Sequence, residues 1–420
     1  MLACLGCSGG ELTLPNGAPA RLEAVRGNGQ TAPVGDVLAE APALVVHDAD
    51  GDPVSGIMVD FTVSQGGGHV ERPSAATDGS GVATAGGWTL GTAPGPNILQ
   101  ASVRAATDIL PVTFTAFAIS DVPSTTQSTI AADPAVIAAS RGSNASAIVV
   151  TVVDRYDNPL PGISVSLSAE PAGISLEQPA LTDGAGKATG RFSATRAGEH
   201  TVTAAVAGGS GLAVVVRVLA APPDPASTTA EVPGGTTGSP TLMRLHLDDA
   251  FGNPVVQSSQ SISADLSGPN AGASFSLREL GSGEYRVDYT PTTPGDDRVS
   301  LSVNGVAVPG SPFASRVAVG PADPSHTSAD VPASLSLFDT ADLVVTVRDR
   351  YGNALGRGGD VVGVMAMAVG VETALNVLDL GDGRYSTRFK PALLSTYTLT
   401  ITLNGGPIAG SPYRTRITLF

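Results

Sequence analysis

Five histidines are the first side chains to weigh for chemistry: His47, His69, His200, His246 and His326. No two of them lie closer than 22 residues in the chain. A catalytic base needs a nucleophile and oxyanion donors converging with it in a cleft, so the five read as solvated histidines of loops and strand ends. His47 and His246 fall just before aspartate-led turns, which puts each near Asp48 or Asp249 by local geometry alone. Asp48, Asp50 and Asp52 alternate around Gly51 and form the candidate metal site. They lack the further spaced ligands and the terminal bidentate glutamate of a helix-flanked calcium loop, and turn capping is the competing reading. Gly66-Gly67-Gly68 and Gly281-Ser282-Gly283 are followed by neither Lys-Ser/Thr nor a helical pattern, so no phosphate loop is assigned. Trp88 reads as a packed side chain rather than a platform for sugar stacking, and Asn144-Ala145-Ser146 is an incidental glycosylation sequon. No catalytic residue and no cofactor is assigned, and the chain reads as non-enzymatic.

Composition narrows the classes further. With 23 basic and 38 acidic residues the net charge is −15, which argues against nucleic acid and anionic membrane surfaces as partners. Hydrophobic content of 42% supports real cores, while aromatics at 4% leave those cores to Val, Leu, Ile and Ala. No apolar run approaches the roughly 18–20 residues of a membrane helix, so no transmembrane segment is expected. Both cysteines, Cys4 and Cys7, lie in the first seven residues, which rules out disulfides and cysteine metal sites everywhere else. Leu5-Gly6-Cys7-Ser8 resembles the end of a bacterial lipoprotein signal, which implies a lipid anchor at Cys7 and a signal extending upstream of Met1. The basic and apolar regions of such a signal are missing and Cys4 stands at the −3 position, so a tail with incidental cysteines is the alternative.

The elements that organise the chain are four copies of one turn. Asp154-Arg155-Tyr156-Asp157-Asn158-Pro159, Asp249-Ala250-Phe251-Gly252-Asn253-Pro254 and Asp349-Arg350-Tyr351-Gly352-Asn353 are close copies, and Asp48-Ala49-Asp50-Gly51-Asp52-Pro53 is the most diverged. Their first aspartates are 106, 95 and 100 residues apart, one small domain per repeat. Each follows a β-branched apolar run, so each is a strand entering a turn. Thr77-Asp78-Gly79-Ser80-Gly81-Val82-Ala83 recurs as Thr182-Asp183-Gly184-Ala185-Gly186-Lys187-Ala188. Alternation predicts that Ile57, Val59 and Phe61 share an inward face, as do Ile163, Val165 and Leu167. Short strands at 8–15-residue spacing with Gly, Asp and Pro between them predict an all-β chain of antiparallel sandwiches.

Two resemblances follow from these residues. The Asp turn continuing to Val165, followed by Thr182 to Ala188, resembles the invasin/intimin type of bacterial Ig-like repeat. The first copy is assigned to the same type, although Asp52 replaces its Asn. Leu280-Gly281-Ser282-Gly283-Glu284-Tyr285 pairs with Leu380-Gly381-Asp382-Gly383-Arg384-Tyr385, and Gly310-Ser311-Pro312-Phe313 with Gly410-Ser411-Pro412-Tyr413. That half is similar to filamin-type Ig repeats. The expected organisation is a tail at 1–20, invasin-type domains at 21–119 and 120–221, and filamin-type domains at 222–320 and 321–420. The junction Asp224-Pro225 to Pro233 recurs as Asp323-Pro324 to Pro332, and such prolines restrict bending. Four tandem Ig-like sandwiches are therefore expected to form an elongated rod on the order of 150 Å long.

The functional expectation is an extracellular or cell-surface structural or adhesion protein, of outer-membrane lipoprotein type if Cys7 is lipidated. Such a protein spaces or presents partners, and its protein or cell-surface ligand is unnamed by the sequence. The alternative, implied by the filamin resemblance, is a module that takes up a peptide as an added strand at 258–266 or 360–369. The apolar run from Val361 to Met367 is read as core in preference to a covered edge. A remote alternative is the accessory region of a larger secreted enzyme.

Overall fold

Every sandwich opens with a strand broken in two, and the break lets one stretch of chain serve both sheets. In a computed structural model describing residues 17–104, 106–207, 209, 211–256 and 261–420, Arg21–Arg26 pairs antiparallel with Ala43–His47, while Gln30–Pro33 crosses to run parallel with Val112–Ile119. The same parallel pair recurs as Val136–Ala138 with Gly211–Leu219, Gly235–Thr236 with Phe313–Ala318, and Ser334–Ser336 with Tyr413–Thr418. Every other strand pairing is antiparallel among the described residues. The described residues contain no α-helix and no helix long and apolar enough to cross a membrane. Four tandem Ig-like sandwiches result, as the turn spacing and strand alternation predict.

In the second, third and fourth sandwiches one sheet joins the first half-strand to three others. In the third this order is Thr229–Glu231, Thr241–His246, Glu284–Tyr289, Ser276–Gly281. The facing sheet runs Gly235–Thr236, Phe313–Ala318, Gly295–Val303, Ile262–Ser267. Alternation fixes the faces: Tyr285, Val287 and Tyr289 are buried, as are Tyr385, Thr387 and Phe389. Val59 and Phe61 point inward in the first sandwich and Val165 and Leu167 in the second. Trp88 lies wholly buried beside Phe61, Leu99 and Phe114 in the core of the first sandwich. The hairpin dipeptides Asn304-Gly305 and Asn404-Gly405 take the left-handed conformation at both positions, which the turn joining their paired strands requires.

The chain divides into two compact units, one ending at Leu219 and the other starting at Ala220. Each holds two sandwiches.

Candidate functional site

The repeated aspartate turn builds a buried polar network in both units. In the second sandwich the Asp154 side chain is wholly buried. Its carboxylate accepts the N–H of Tyr156 at 2.8 Å, of Asn158 at 3.0 Å and of Asp121 at 3.0 Å. The Asn158 amide nitrogen donates to both carboxylate oxygens, at 3.1 and 2.9 Å. Burial pushes the Asp154 pKa up, but the Asn158 amide and these backbone donors outweigh it and hold the carboxyl below the ordinary aspartate value. Asp349 repeats the arrangement. It accepts the N–H groups of Tyr351 and Asn353 and the Asn353 amide, and the Thr237 hydroxyl donates to its second oxygen. Burial again raises its pKa, and the Asn353 amide and Thr237 hydroxyl lead the donors that bring it below the ordinary value. Asp249 is equally buried and bonds Phe251, Asn253 and Ala221.

These turns join sandwiches as well as closing strands. Within the first unit the Asn158 amide also donates to the Thr92 carbonyl of the preceding sandwich at 2.8 Å. Within the second, the Asn353 amide donates to the Thr292 carbonyl at 2.7 Å. Thr92-Ala93-Pro94-Gly95 and Thr292-Thr293-Pro294-Gly295 are the same loop in the two receiving sandwiches. A buried polar side chain pins each loop from behind: Asn97 accepts from Gly91, while Asp297 accepts from Asn270, whose amide oxygen in turn takes the N–H groups of Thr292 and Thr293. Arg155 adds ion pairs to Asp36 at 3.0 Å and Asp121 at 3.1 Å. Its guanidinium lies 4.8 Å from the Tyr156 ring centroid, and Arg350 lies 4.7 Å from that of Tyr351.

Glycine makes room for this docking. A Cβ on Gly35, at φ 76°, would stand 2.2 Å from the Tyr156 hydroxyl. On Gly238, at φ 82°, it would stand 3.1 Å from both Arg350 Nε and Tyr351.

The first turn differs, and the amide is the reason. Asp52 occupies the asparagine position and cannot donate from its side chain. Among the described residues the Asp48 side chain accepts the N–H groups of Asp50 and Asp52, at 3.1 and 2.9 Å, and it stays partly exposed. Asp50 and Asp52 are exposed. The Asp48, Asp50, Asp52 candidate is therefore built as a capped turn, and among the described residues no group of three His, Cys, Asp or Glu is arranged to hold a metal ion. The histidines also separate by environment. His69 and His326 are exposed, His47 bonds the Gly51 carbonyl at 2.9 Å, and His246 pairs with Glu284 at 2.9 Å and Asp248 at 3.2 Å. His200 corrects the expectation of a solvated ring: it is wholly buried against Phe192 with Nε2 on the Arg196 carbonyl at 2.8 Å. Alternation along Gly198–Val206 turns it inward. Cys7 lies outside the described residues.

The other surface worth building is the outer edge of the strand after each turn, because unpaired backbone groups there recruit other strands. The first sandwich covers Met58–Gln65 with Ser74–Ala76. The second leaves Val165–Glu170 at the end of its sheet, and the exposed Gln178 takes its place as a partner. Gln178 Oε1 accepts the Leu167 N–H at 2.7 Å and Nε2 donates to the Leu167 carbonyl at 2.9 Å. The fourth covers Val362–Ala368 with Val371–Leu375. The third does neither among the described residues, where Ile262–Ser267 ends its sheet. The Asn304 N–H bonds the Ser261 carbonyl. With the pairing Ile262 to Val303, that bond sets the backbone groups of Ile262, Ala264 and Leu266 outward. Of the expected edge at 258–266, residues 258–260 lie outside the described residues. The expected core run near Val361 is only half core: Val364, Ala366 and Ala368 are buried, while Val361, Met365 and Met367 are exposed.

Comparison with known proteins agrees with this architecture. Residues 127–219 match the family described as Bacterial Ig-like domain (group 1), and residues 222–314 and 321–414 match the Filamin/ABP280 repeat. Filamin-C of Mus musculus is 27% identical over 200 residues, 47% of this chain, which spans only 7% of that protein. The solved structure of FdeC, an Escherichia coli adhesin, covers 71% of this chain and 99% of its own at 22% identity and a TM-score of 0.56. Invasin, a bacterial integrin-binding protein, covers 94% and 79% at 18% identity and a TM-score of 0.50. At these identities the structural likeness concerns the fold.

Proposed function

For a chain that joins a group 1 bacterial Ig-like domain to two filamin repeats, we propose a non-enzymatic role at the cell surface, as an adhesion-type array of Ig-like sandwiches. The observation that carries the reading is the asparagine clasp. Within each unit a buried aspartate and its amide partner fix one sandwich on the next, which suits a protein that holds a partner at a distance and suits no catalytic cleft. The adhesin character of FdeC and invasin supports the same reading. Anchoring through a lipid on Cys7 is part of it. Antibody labelling of intact producing cells tests the location, and a chain that is stained only after lysis sinks the proposal. Cys7→Ser releasing the chain from the membrane fraction is the expected result for the anchor.

A second reading rests on one observation, the strand Ile262–Ser267, which ends its sheet among the described residues. A partner peptide adding there would bond the outward groups of Ile262, Ala264 and Leu266. Hydrogen exchange with a bound peptide is expected to slow those amides and leave Leu167, already bonded to Gln178, unchanged. Equal protection on both strands would refute selectivity for the third sandwich.

A further inference from the structure

The outer face of the sheet containing Thr241–His246 in the third sandwich carries a row of charge that the fold does not require. Glu231 lies opposite Arg244, Arg244 opposite Arg286, and Arg286 opposite Arg278. All four face away from the core, because Met243, Leu245, Tyr285 and Val287 turn inward on the neighbouring positions. Like charges directly opposite on adjacent strands are destabilising, and here three arginines stand together in a chain of net charge −15. Arg286 is paired with Asp288 at 3.2 Å. Arg244 and Arg278 have no ion-pair partner among the described residues. The fourth sandwich builds the same sheet with Asp330, Val344, Ser386 and Leu378 in the matching row. The arginines are therefore no demand of the repeat.

A groove of about 570 Å³ lies over Glu231, Arg244 and Arg286 of this row, with Arg278 on the next strand beyond it. Arg244 and Arg286 line it as cations together with the apolar Pro233, Leu242 and Leu280, Leu242 lying on the Asp288 flank of the row and Leu280 on the Glu284 flank. The leucines are 46% and 54% exposed, apolar surface left open beside charge. A smaller pocket of about 360 Å³ shares Glu231 and Arg244 and reaches His246 and Glu284.

We propose that this face binds an acidic peptide segment in which carboxylates neighbour an apolar side chain. Guanidinium groups take carboxylates in a two-pronged geometry that ammonium groups cannot match. Strands about 4.8 Å apart spread three arginines over roughly 10 Å, a span met by about three residues of extended peptide. The apolar residues flanking the row, Leu242 on one side and Leu280 on the other, accept the neighbouring side chain. Glu231 and Glu284 at the rim repel a densely charged polyanion, so a sulfated glycan fits less well than a peptide with two or three carboxylates. The site lies on the opposite sheet from Ile262–Ser267 and stands independently of strand addition there.

The test uses the full chain and fluorescence anisotropy of a labelled acetyl-Glu-Leu-Glu-Leu-Glu-amide peptide at low ionic strength. The glutamine analogue serves as the neutral control and heparin as the glycan probe. The double variant R244Q/R278Q removes the two unpaired cations and leaves the Arg286–Asp288 pair intact. R414Q/R416Q removes the same charge from the fourth sandwich. The expected result is binding of the acidic peptide alone, weakened at least tenfold by R244Q/R278Q and less than twofold by R414Q/R416Q. The melting temperature of R244Q/R278Q is expected to be unchanged or raised, since like-charge repulsion is relieved. Equal weakening by both variants, or a lowered melting temperature in R244Q/R278Q, overturns the proposal. So does heparin binding without peptide binding, which would make the ligand a glycan, and so does binding of neither probe.

Discussion

Replacing Asn158 with aspartate tests the clasp with almost no change of shape. The wild-type amide gives hydrogen bonds to both Asp154 oxygens and to the Thr92 carbonyl. Hydrogen bonds to a charged group contribute about 1.5–3 kcal/mol, and Asn158→Ala is expected to cost the second sandwich about that much. Asn158→Asp loses the same donors and adds a second carboxylate against a buried one. Two unit charges about 4 Å apart at an effective dielectric near 20 repel by about 4 kcal/mol, so one of the pair will take up a proton and cap the penalty. The expected order of stability is wild type, then Asn158→Ala, then Asn158→Asp, the last about 3–5 kcal/mol below wild type at neutral pH. The two losses must land in different places. The protein has one tryptophan, Trp88, buried in the first sandwich. Its fluorescence reports that sandwich alone, whereas calorimetry of the whole chain also reports the second. The first sandwich loses one neutral hydrogen bond at Thr92, about 1 kcal/mol, so the fluorescence midpoint should move much less than the affected calorimetric transition. Asn158→Asp as stable as Asn158→Ala would refute the reasoning, because it would mean that Asp154 is not held as a buried anion. Acid provides the internal check: the gap between the two variants should narrow as pH falls and the carboxylate pair protonates.

Other expectations follow from the same geometry. Asp154 and Asp349 have folded pKa values below the ordinary one. Their contribution is complete above the unfolded value of about 3.9 and is lost as pH falls through the lower folded values; acid unfolding followed by calorimetry should show a weaker dependence in Asn158→Ala and Asn353→Ala, since the backbone donors remain, and wild-type slopes in both variants would argue against the linkage. Gly35→Ala forces a left-handed alanine, costing about 1–2 kcal/mol, and drives a methyl into the Tyr156 hydroxyl. Tyr156→Ala should rescue part of that loss, and strict additivity in the double-mutant cycle would show that the two do not meet. Gln178→Ala should cost only about 1 kcal/mol but open the Leu167 edge, seen as increased self-association in sedimentation velocity; an unchanged sedimentation profile would mean that the side chain does not guard the edge.

Sequence patterns carried the fold because its determinants are local. Period-two burial in Glu284–Tyr289 and the Asn-Gly hairpins depend on neighbours a few residues away. The aspartate turn was legible as a turn for the same reason, and the Asp52 substitution already marked the copy that lacks the amide bonds. Its second role was harder to read, because Asn158 reaches 66 residues back to Thr92 and Asn353 reaches 61 back to Thr292. A signal was present in the shared Thr-x-Pro-Gly of the two receiving loops, but only a contact could tie it to the turn. His200 misled because a histidine near a strand end is usually wet, whereas its parity within Gly198–Val206 puts it on the core side with Val202 and Ala204. The arginine row is the extreme case. Arg244, Arg278 and Arg286 are spread over 43 positions of sequence and become neighbours only through strand register. Register is set by turn lengths and by the bulge between Glu279 and Gly281, and a one-residue change in either would scatter the charges to opposite faces. Folding alone gives no reason to hold three cations side by side, so the register is where selection for a ligand would leave its mark.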